Sequence, residues 1–68
     1  MKSISGKHFA RLLEIRGWRS VRVNGSHHVY IKAGNPARIS LPIHKNEDLK
    51  IGLLKHFMKI AEISETEL

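Results

Sequence analysis

The chain has 68 residues, which suffices for a single domain over residues 1–68 with a small core. It has no cysteine, so neither a disulfide nor a thiolate metal site contributes to its stability. Its 12 lysine and arginine residues outnumber 6 acids, and half of those acids lie in residues 62–68, which leaves residues 1–61 with a net charge of +9. This basic excess indicates a polyanionic partner, most often a nucleic acid, although an acidic protein fits equally well.

The sequence shows no signal that would direct the chain into a membrane. Residues 1–6 lack the apolar run of a signal peptide, and no apolar stretch is long enough to span a bilayer. We therefore expect a cytoplasmic protein with no membrane partner and no small-molecule cofactor.

The first predicted element is an amphipathic helix over Gly6–Ile15. Ser5 is a suitable N-cap, because its hydroxyl can accept a hydrogen bond from a first-turn amide. Gly17 is a suitable stop, because glycine adopts the left-handed conformation at low cost. A single apolar stripe results from the i, i+3, i+4 spacing of Phe9, Leu12 and Leu13.

Three short β-type runs follow, at Arg19–Val23, His28–Lys32 and Arg38–Leu41. Asn24-Gly25 between the first two favours a hairpin. Pro42 is expected to end the third run, because proline cannot donate a hydrogen bond to a strand ladder.

A second helix is predicted within Leu49–Glu62 from the helical spacing of its apolar residues, with its regular part after Gly52. The segment Ser64-Glu65-Thr66-Glu67 then has the pattern of a capping box, with Ile63 and Leu68 placed as a hydrophobic staple. This pattern predicts one further short helical turn.

The resulting order is α-β-β-β-α with a short C-terminal helical stub, which is an α+β fold. The simplest packing places both helices on one face of a three-stranded antiparallel sheet, with Val29 and Ile31 facing the helices. The open face would then display Arg22, His28, Tyr30, Lys32, Arg38 and Ser40. A double-stranded-RNA-binding domain (dsRBD) has the same element order, so a non-catalytic RNA-binding module is one reading of the chain.

Two adjacent histidines, His27 and His28, follow the Gly25-Ser26 turn signal at the start of the second strand. Histidine titrates near neutrality, so it can remove the proton of an RNA 2′-hydroxyl or protonate the departing 5′-oxygen. Positive groups nearby would stabilise the charge that develops on the phosphoryl oxygens. Adjacent histidines are equally compatible with half-buried strand residues that have no chemical role.

Two sequence marks at this spacing resemble one known family. They are Gly25-Ser26-His27-His28 before the second strand and Pro42-Ile43-His44 after the third. Together with Gly17-Trp18 and the segment Leu49–Lys55, they make nearly the whole chain similar to the HicA toxins of bacterial and archaeal toxin–antitoxin pairs. The chain departs from the family at Lys32–Pro36, where many members carry histidine-proline.

The resemblance implies a dsRBD-like ribonuclease that cleaves mRNA and is inhibited by a HicB antitoxin. Such cleavage needs no metal, because RNA supplies its own nucleophile. The resemblance also implies one active histidine and favours His27, whereas strand parity favours His28, since His27 shares the expected inward parity of Val29 and Ile31. Both remain candidates.

The candidate RNA-binding residues flank these histidines or share the predicted open face. They are Arg22, Gly25, Ser26, Lys32, Arg38 and His44. Zinc binding by His27, His28 and His44 is conceivable, but the chain lacks HxxxH-type spacing, and we predict no metal site. An interaction protein whose basic face meets an acidic partner is a further alternative.

Overall fold

A computed structural model describes residues 2–68. The predicted order of elements and the α+β fold are confirmed. The elements are α1 (Gly6–Ile15), β1 (Arg19–Asn24), β2 (His27–Lys32), β3 (Asn35–Pro42), α2 (Ile51–Ala61) and a short 3-10 helix (Glu65–Glu67). No helix within residues 2–68 is both long enough and apolar enough to cross a membrane.

The three strands form one antiparallel sheet in the order β1-β2-β3. Both edge pairings are irregular. A register shift between Ser20 and Arg22 interrupts the β1–β2 pairing, and another between Tyr30 and Lys32 interrupts the β2–β3 pairing. β3 begins at Asn35, three residues before the predicted start, and tolerates Pro36 because it is an edge strand.

The ends of α1 follow the predicted signals. The Ser5 hydroxyl accepts a hydrogen bond from the His8 amide at 3.1 Å, and Gly17 leaves the helix with a φ of 91°. A positive φ of this size is inexpensive only for glycine, so Gly17 fixes the direction in which the chain enters β1.

One apolar cluster lies between the two helices and one face of the sheet. Both helices contact β3. The side chains of α1 and α2 meet through the rings of Phe9 and Phe57, whose centroids are 6.1 Å apart. The fully buried side chains are those of Phe9, Leu13, Ile39, Leu41 and Leu54. Full burial of each such side chain is worth about 1.5–3 kcal/mol, which makes this cluster the main source of stability.

The predicted assignment of faces in β2 is wrong. Tyr30 is only 3% exposed and lies opposite the fully buried Ile39, so Tyr30 faces the helices. Because side chains alternate along a strand, His28 and Lys32 share the parity of Tyr30. Val29 and Ile31, expected to point inward, are half-buried on the open face instead.

β1 is the least covered strand, since all six of its residues are exposed. Val21 and Val23 are 47% and 60% exposed, although the expected position of Arg22 on the open face implies an inward face for its two neighbours in an alternating strand. The helices pack against β3, at the opposite edge of the sheet, so they do not reach these valines.

The C-terminal segment packs back against α1. α2 begins at Ile51, before the predicted start of its regular part, and ends at Ala61; the C-cap Glu62 adopts the left-handed conformation with a φ of 57°. The predicted short turn is present as the 3-10 helix, and the Ser64 amide donates to the Glu67 carboxylate at 2.8 Å. Glu67 also forms an ion pair with Arg16 at the end of α1.

Candidate active site

Two segments of the chain meet at one end of the sheet. His27, the first residue of β2, lies opposite Pro42, the last residue of β3. The Ile43 amide then donates a hydrogen bond to the Ser26 carbonyl oxygen at 2.7 Å. The two sequence marks, Gly25–His28 and Pro42–His44, are therefore neighbours in the fold.

The turn between β1 and β2 holds the start of β2 in the open. Asn24 and His27 are paired across the hairpin, so only Gly25 and Ser26 connect the two strands. Gly25 has a φ of 62°, and no heavy atom lies within 4 Å of the position that a Cβ would take there. This turn exposes the residue that follows it and gives a large ligand access to it.

The two adjacent histidines occupy different environments. His27 is exposed and has the parity of the open face, which it shares with Val29. His28 is half-buried and lies opposite the fully buried Leu41, so it has the parity of the helix side. The parity argument that favoured His28 rested on the wrong assignment of faces, and the observed register favours His27 as the histidine accessible to RNA.

His44 lies two residues beyond the end of β3 with its side chain 61% exposed. Its Nε2 atom is 3.9 Å from a carboxylate oxygen of Glu47. Since both side chains are exposed, this contact is weak and does not immobilise the ring. His44 follows Ile43, whose amide is hydrogen-bonded to Ser26, so its backbone lies near the start of β2 and its side chain is exposed there.

The open face of the sheet carries the cationic side chains Arg22 and Arg38, both exposed. Arg22 lies opposite Val29, and Val29 lies opposite Ser40, which gives these residues a common face. This confirms the predicted open-face positions of Arg22, Arg38 and Ser40, while their contact with RNA stays a prediction.

Arg19 is a basic residue of this face that the sequence analysis missed. It lies opposite Ile31, whereas Arg22 lies opposite Val29, so both arginines point to the open side. In a regular strand, residues three apart point to opposite faces. The register shift between Ser20 and Arg22 removes this difference, and nothing in the local sequence indicated it.

Lys32 lies elsewhere, contrary to its predicted position on the open face. It is the last residue of β2, at the far end of the strand from His27, and has the parity of the helix side. Its Cε atom is 3.7 Å from the position that a Cβ on Gly17 would take. The structure therefore separates Lys32 from the histidines.

The first turn of α1 lies at the same end of the sheet as Pro42 and the start of β2. Gly6 is buried, and a Cβ at this position would overlap the carbonyl oxygen of Pro42. Next to it, a shallow groove of about 240 Å³ is lined by Ser5, Lys7, His8 and Arg11. A second groove, of about 290 Å³, lies on the other side of the β3 end and is lined by residues that include His44, Glu47, Asp48, Lys50 and Leu53.

Within residues 2–68, the structure groups no three histidine, aspartate or glutamate side chains in an arrangement that could hold a metal ion. The structure instead places exposed His27 and His44 at one end of the sheet, exposed arginines on the open face and a basic groove on the side of the helices. A comparison with protein families matches residues 6–63 to the family described as HicA toxin of bacterial toxin–antitoxin. A comparison with curated proteins gives no match.

Proposed function

Because the chain belongs to the HicA family and is thus the toxin of a toxin–antitoxin system, we propose that it is an endoribonuclease that cleaves mRNA with His27 as its acid–base residue. The observation that carries this proposal is the position of His27, exposed at the start of β2 and opposite Pro42. His27 is accessible to a bulky strand from the open side, whereas His28 is partly covered.

The proposed reaction is an internal transfer on the phosphodiester. Neutral His27 takes the proton of the 2′-hydroxyl, and the 2′-oxygen forms a bond to phosphorus. The bond from phosphorus to the 5′-oxygen breaks, and that oxygen receives a proton from the imidazolium or from water. The products are a 2′,3′-cyclic phosphate and a 5′-hydroxyl. No metal is required, because the nucleophile belongs to the substrate.

Electrostatic stabilisation comes from the same side of the sheet. Arg19, Arg22 and Arg38 share the face of His27; Arg22 lies nearest to it, and Arg19 and Arg38, beside the far end of β2, can contact phosphates further along the strand. With one histidine in the reaction, these cations and the positioning of the RNA supply a larger part of the rate.

The test compares His27→Ala with His28→Ala in cleavage of a defined RNA in the presence of a chelator. We expect the wild-type chain to produce cyclic-phosphate ends, and His27→Ala to be slower by about 10²–10⁴-fold, the usual range for an acid–base residue. His28→Ala should retain most of the activity. Circular dichroism of each variant confirms that it is folded.

Three other outcomes would contradict parts of the proposal. If folded His27→Ala cuts at the wild-type rate while His28→Ala does not, the acid–base residue is His28. If both variants and the double variant still cut, histidine catalysis is wrong. If the wild-type chain binds RNA without cutting it, the chain is a non-catalytic RNA-binding module.

We further propose that the antitoxin is a HicB-type protein that covers His27 and places carboxylates against Arg22 and Arg38. Residues 1–61 carry +9, and complementary charge chiefly raises the association rate and fixes the orientation of the complex. Arg22→Glu combined with Arg38→Glu should slow association at low salt and weaken RNA binding together. Weaker RNA binding with unchanged antitoxin association would show that the two partners use different surfaces.

A further inference from the structure

The charges of α1 are arranged against its dipole. The amino end of a helix carries a partial positive charge, so acidic side chains stabilise the first turn and basic side chains the last. In α1 the first turn contains Lys7 and His8 and no acid, while the last turn contains Glu14 and no base. This arrangement costs a few tenths of a kcal/mol for each charge, so stability does not account for it.

The same basic side chains line one concave surface. Lys7 and Arg11 are exposed and four residues apart, which places them on one side of α1. With His8 and Ser5 they form the walls of the 240 Å³ groove, which no carboxylate lines. Within residues 2–68, neither Lys7 nor Arg11 takes part in an ion pair. Asp48 is paired with Ser5 through an isolated β-bridge, but it lines the second groove.

This groove, the α1 groove, lies at the same end of the sheet as the proposed site of cleavage, on the side of the helices. Gly6 is packed against the Pro42 carbonyl, and Pro42 is paired with His27. The first turn of α1 is therefore held at the end of the sheet where β2 begins, on the face opposite to the His27 side chain. Because His27 faces the open side of the sheet and α1 packs on the other side, an RNA strand that passes His27 would reach the α1 groove by turning around the end of β3.

We propose that the α1 groove binds the sugar–phosphate backbone of the RNA substrate outside the cleaved phosphodiester. The proposal rests on the proposed ribonuclease function, and it adds a second backbone contact to the open sheet face. The groove lacks the aromatic and large apolar side chains that anchor protein interfaces. Its lysine, arginine and histidine side chains suit a chain of phosphates, which requires cations at intervals and no deep pocket.

The experiment uses the full chain with Lys7→Gln and Arg11→Gln combined. The matched control combines Lys55→Gln with Lys59→Gln, because these lysines are exposed, four residues apart and on the other helix. Binding of a single-stranded RNA is measured against salt concentration in the His27→Ala background. If two phosphate contacts are lost, at about 0.7 in log–log slope for each, the α1 variant should reduce the slope by about 1.4.

Cleavage kinetics give a second readout that a structural role would not produce. For a long RNA, the α1 variant should raise KM by about tenfold at moderate salt and leave kcat unchanged, since the lost contacts act on binding. For a dinucleotide that spans only the cleaved bond, KM should be unchanged. The α2 control should alter neither quantity beyond a small effect of net charge.

Each remaining outcome also gives a decision. An unchanged slope and KM, or an equal loss in the α2 control, overturns the proposal. Normal RNA binding with weaker antitoxin binding overturns it in favour of a protein-binding surface. Steep salt-dependent RNA binding by a wild-type chain that does not cleave contradicts the proposed function, and the slope comparison then still decides whether the α1 groove contacts phosphates. A wild-type chain without salt-dependent RNA binding overturns both.

Discussion

The two helices differ most in their first turns. The N-cap of α1 is Ser5, whose side chain accepts a hydrogen bond from the first turn, and the next residue, Gly6, packs against Pro42 at the end of β3. α2 starts at Lys50, whose side chain makes no capping hydrogen bond, and nothing lies within 4 Å of a Cβ at Gly52. Gly6 at the start of α1 is therefore packed against the strand end beside His27, whereas no such contact constrains Gly52 at the start of α2.

This difference indicates a division of roles. The packed face of α2 holds four buried residues, Leu54, Phe57, Met58 and Ala61, and its main contribution is apolar burial. α1 also packs into the core, but its first turn in addition places basic side chains at the end of the sheet where His27 lies. Substitutions in corresponding parts of the two helices should therefore have unequal effects.

The largest inequality is expected between the two glycines. Gly6→Ala should destabilise the fold by about 3 kcal/mol, the upper part of the usual range for overpacking, because backbone of β3 must move to make room. Gly52→Ala should stabilise it by about 0.5–1 kcal/mol, because a helical glycine is replaced where space is open. Urea denaturation of both variants measures the difference. Equal free energies of unfolding would show that the contact with Pro42 is not a constraint.

The helix ends give an intermediate effect. Both helices end in a residue with positive φ, but α1 uses Gly17 and α2 uses Glu62. The left-handed conformation costs a non-glycine residue roughly 1–2 kcal/mol. Gly17→Ala should therefore lower the free energy of unfolding by about 1 kcal/mol, and Glu62→Gly should raise it by a similar amount. Two shifts of the same sign in thermal denaturation would contradict this comparison.

A smaller effect is expected from the ion pair that joins α1 to the C-terminal 3-10 helix. The side chains of Arg16 and Glu67 are 37% and 32% exposed, so solvent screens their attraction. Glu67→Gln should cost about 0.2–1 kcal/mol at low salt and less at high salt. Glu65→Gln removes the same charge from an exposed position and should have almost no effect. A loss for Glu67→Gln that does not depend on salt would indicate that its hydrogen bond to the Ser64 amide is the dominant contact.

The bounds of α1 were predictable because local signals mark both of its ends. Ser5 is an N-cap and Gly17 is a stop, and neither depends on the rest of the fold. The Gly25 turn and Pro42 are also local signals. Glycine allows the positive φ of the turn, and proline has no amide hydrogen to donate to a neighbouring strand. The Gly25 turn and the strand end at Pro42 are also the two places that the structure brings together around His27.

The faces of β2 were not predictable from hydropathy. Both faces of this strand carry apolar side chains, Val29 and Ile31 on one and Tyr30 on the other, so alternation alone does not say which is covered. The large ring of Tyr30 is buried and the two smaller aliphatic chains are half-covered, which reverses the expectation. The position of Arg19 depends on an irregularity in register, which arises from tertiary pairing rather than from local sequence.

The smallest expected effect on stability is that of Tyr30, and it appears only at alkaline pH. Burial raises the pKa of the Tyr30 phenol above its usual value, and the charge of Glu14 in α1 raises it further. The folded state therefore favours the neutral phenol. Its contribution to stability is complete below about pH 10, the pKa of tyrosine in the unfolded chain, and is lost as pH rises through the higher pKa of the folded state. The free energy of unfolding should therefore fall above about pH 10 more steeply for the wild-type chain than for Tyr30→Phe. Glu14→Gln should weaken this dependence and Glu62→Gln on α2 should not, and identical pH profiles for wild type and Tyr30→Phe would show that the phenol titrates as it does in water.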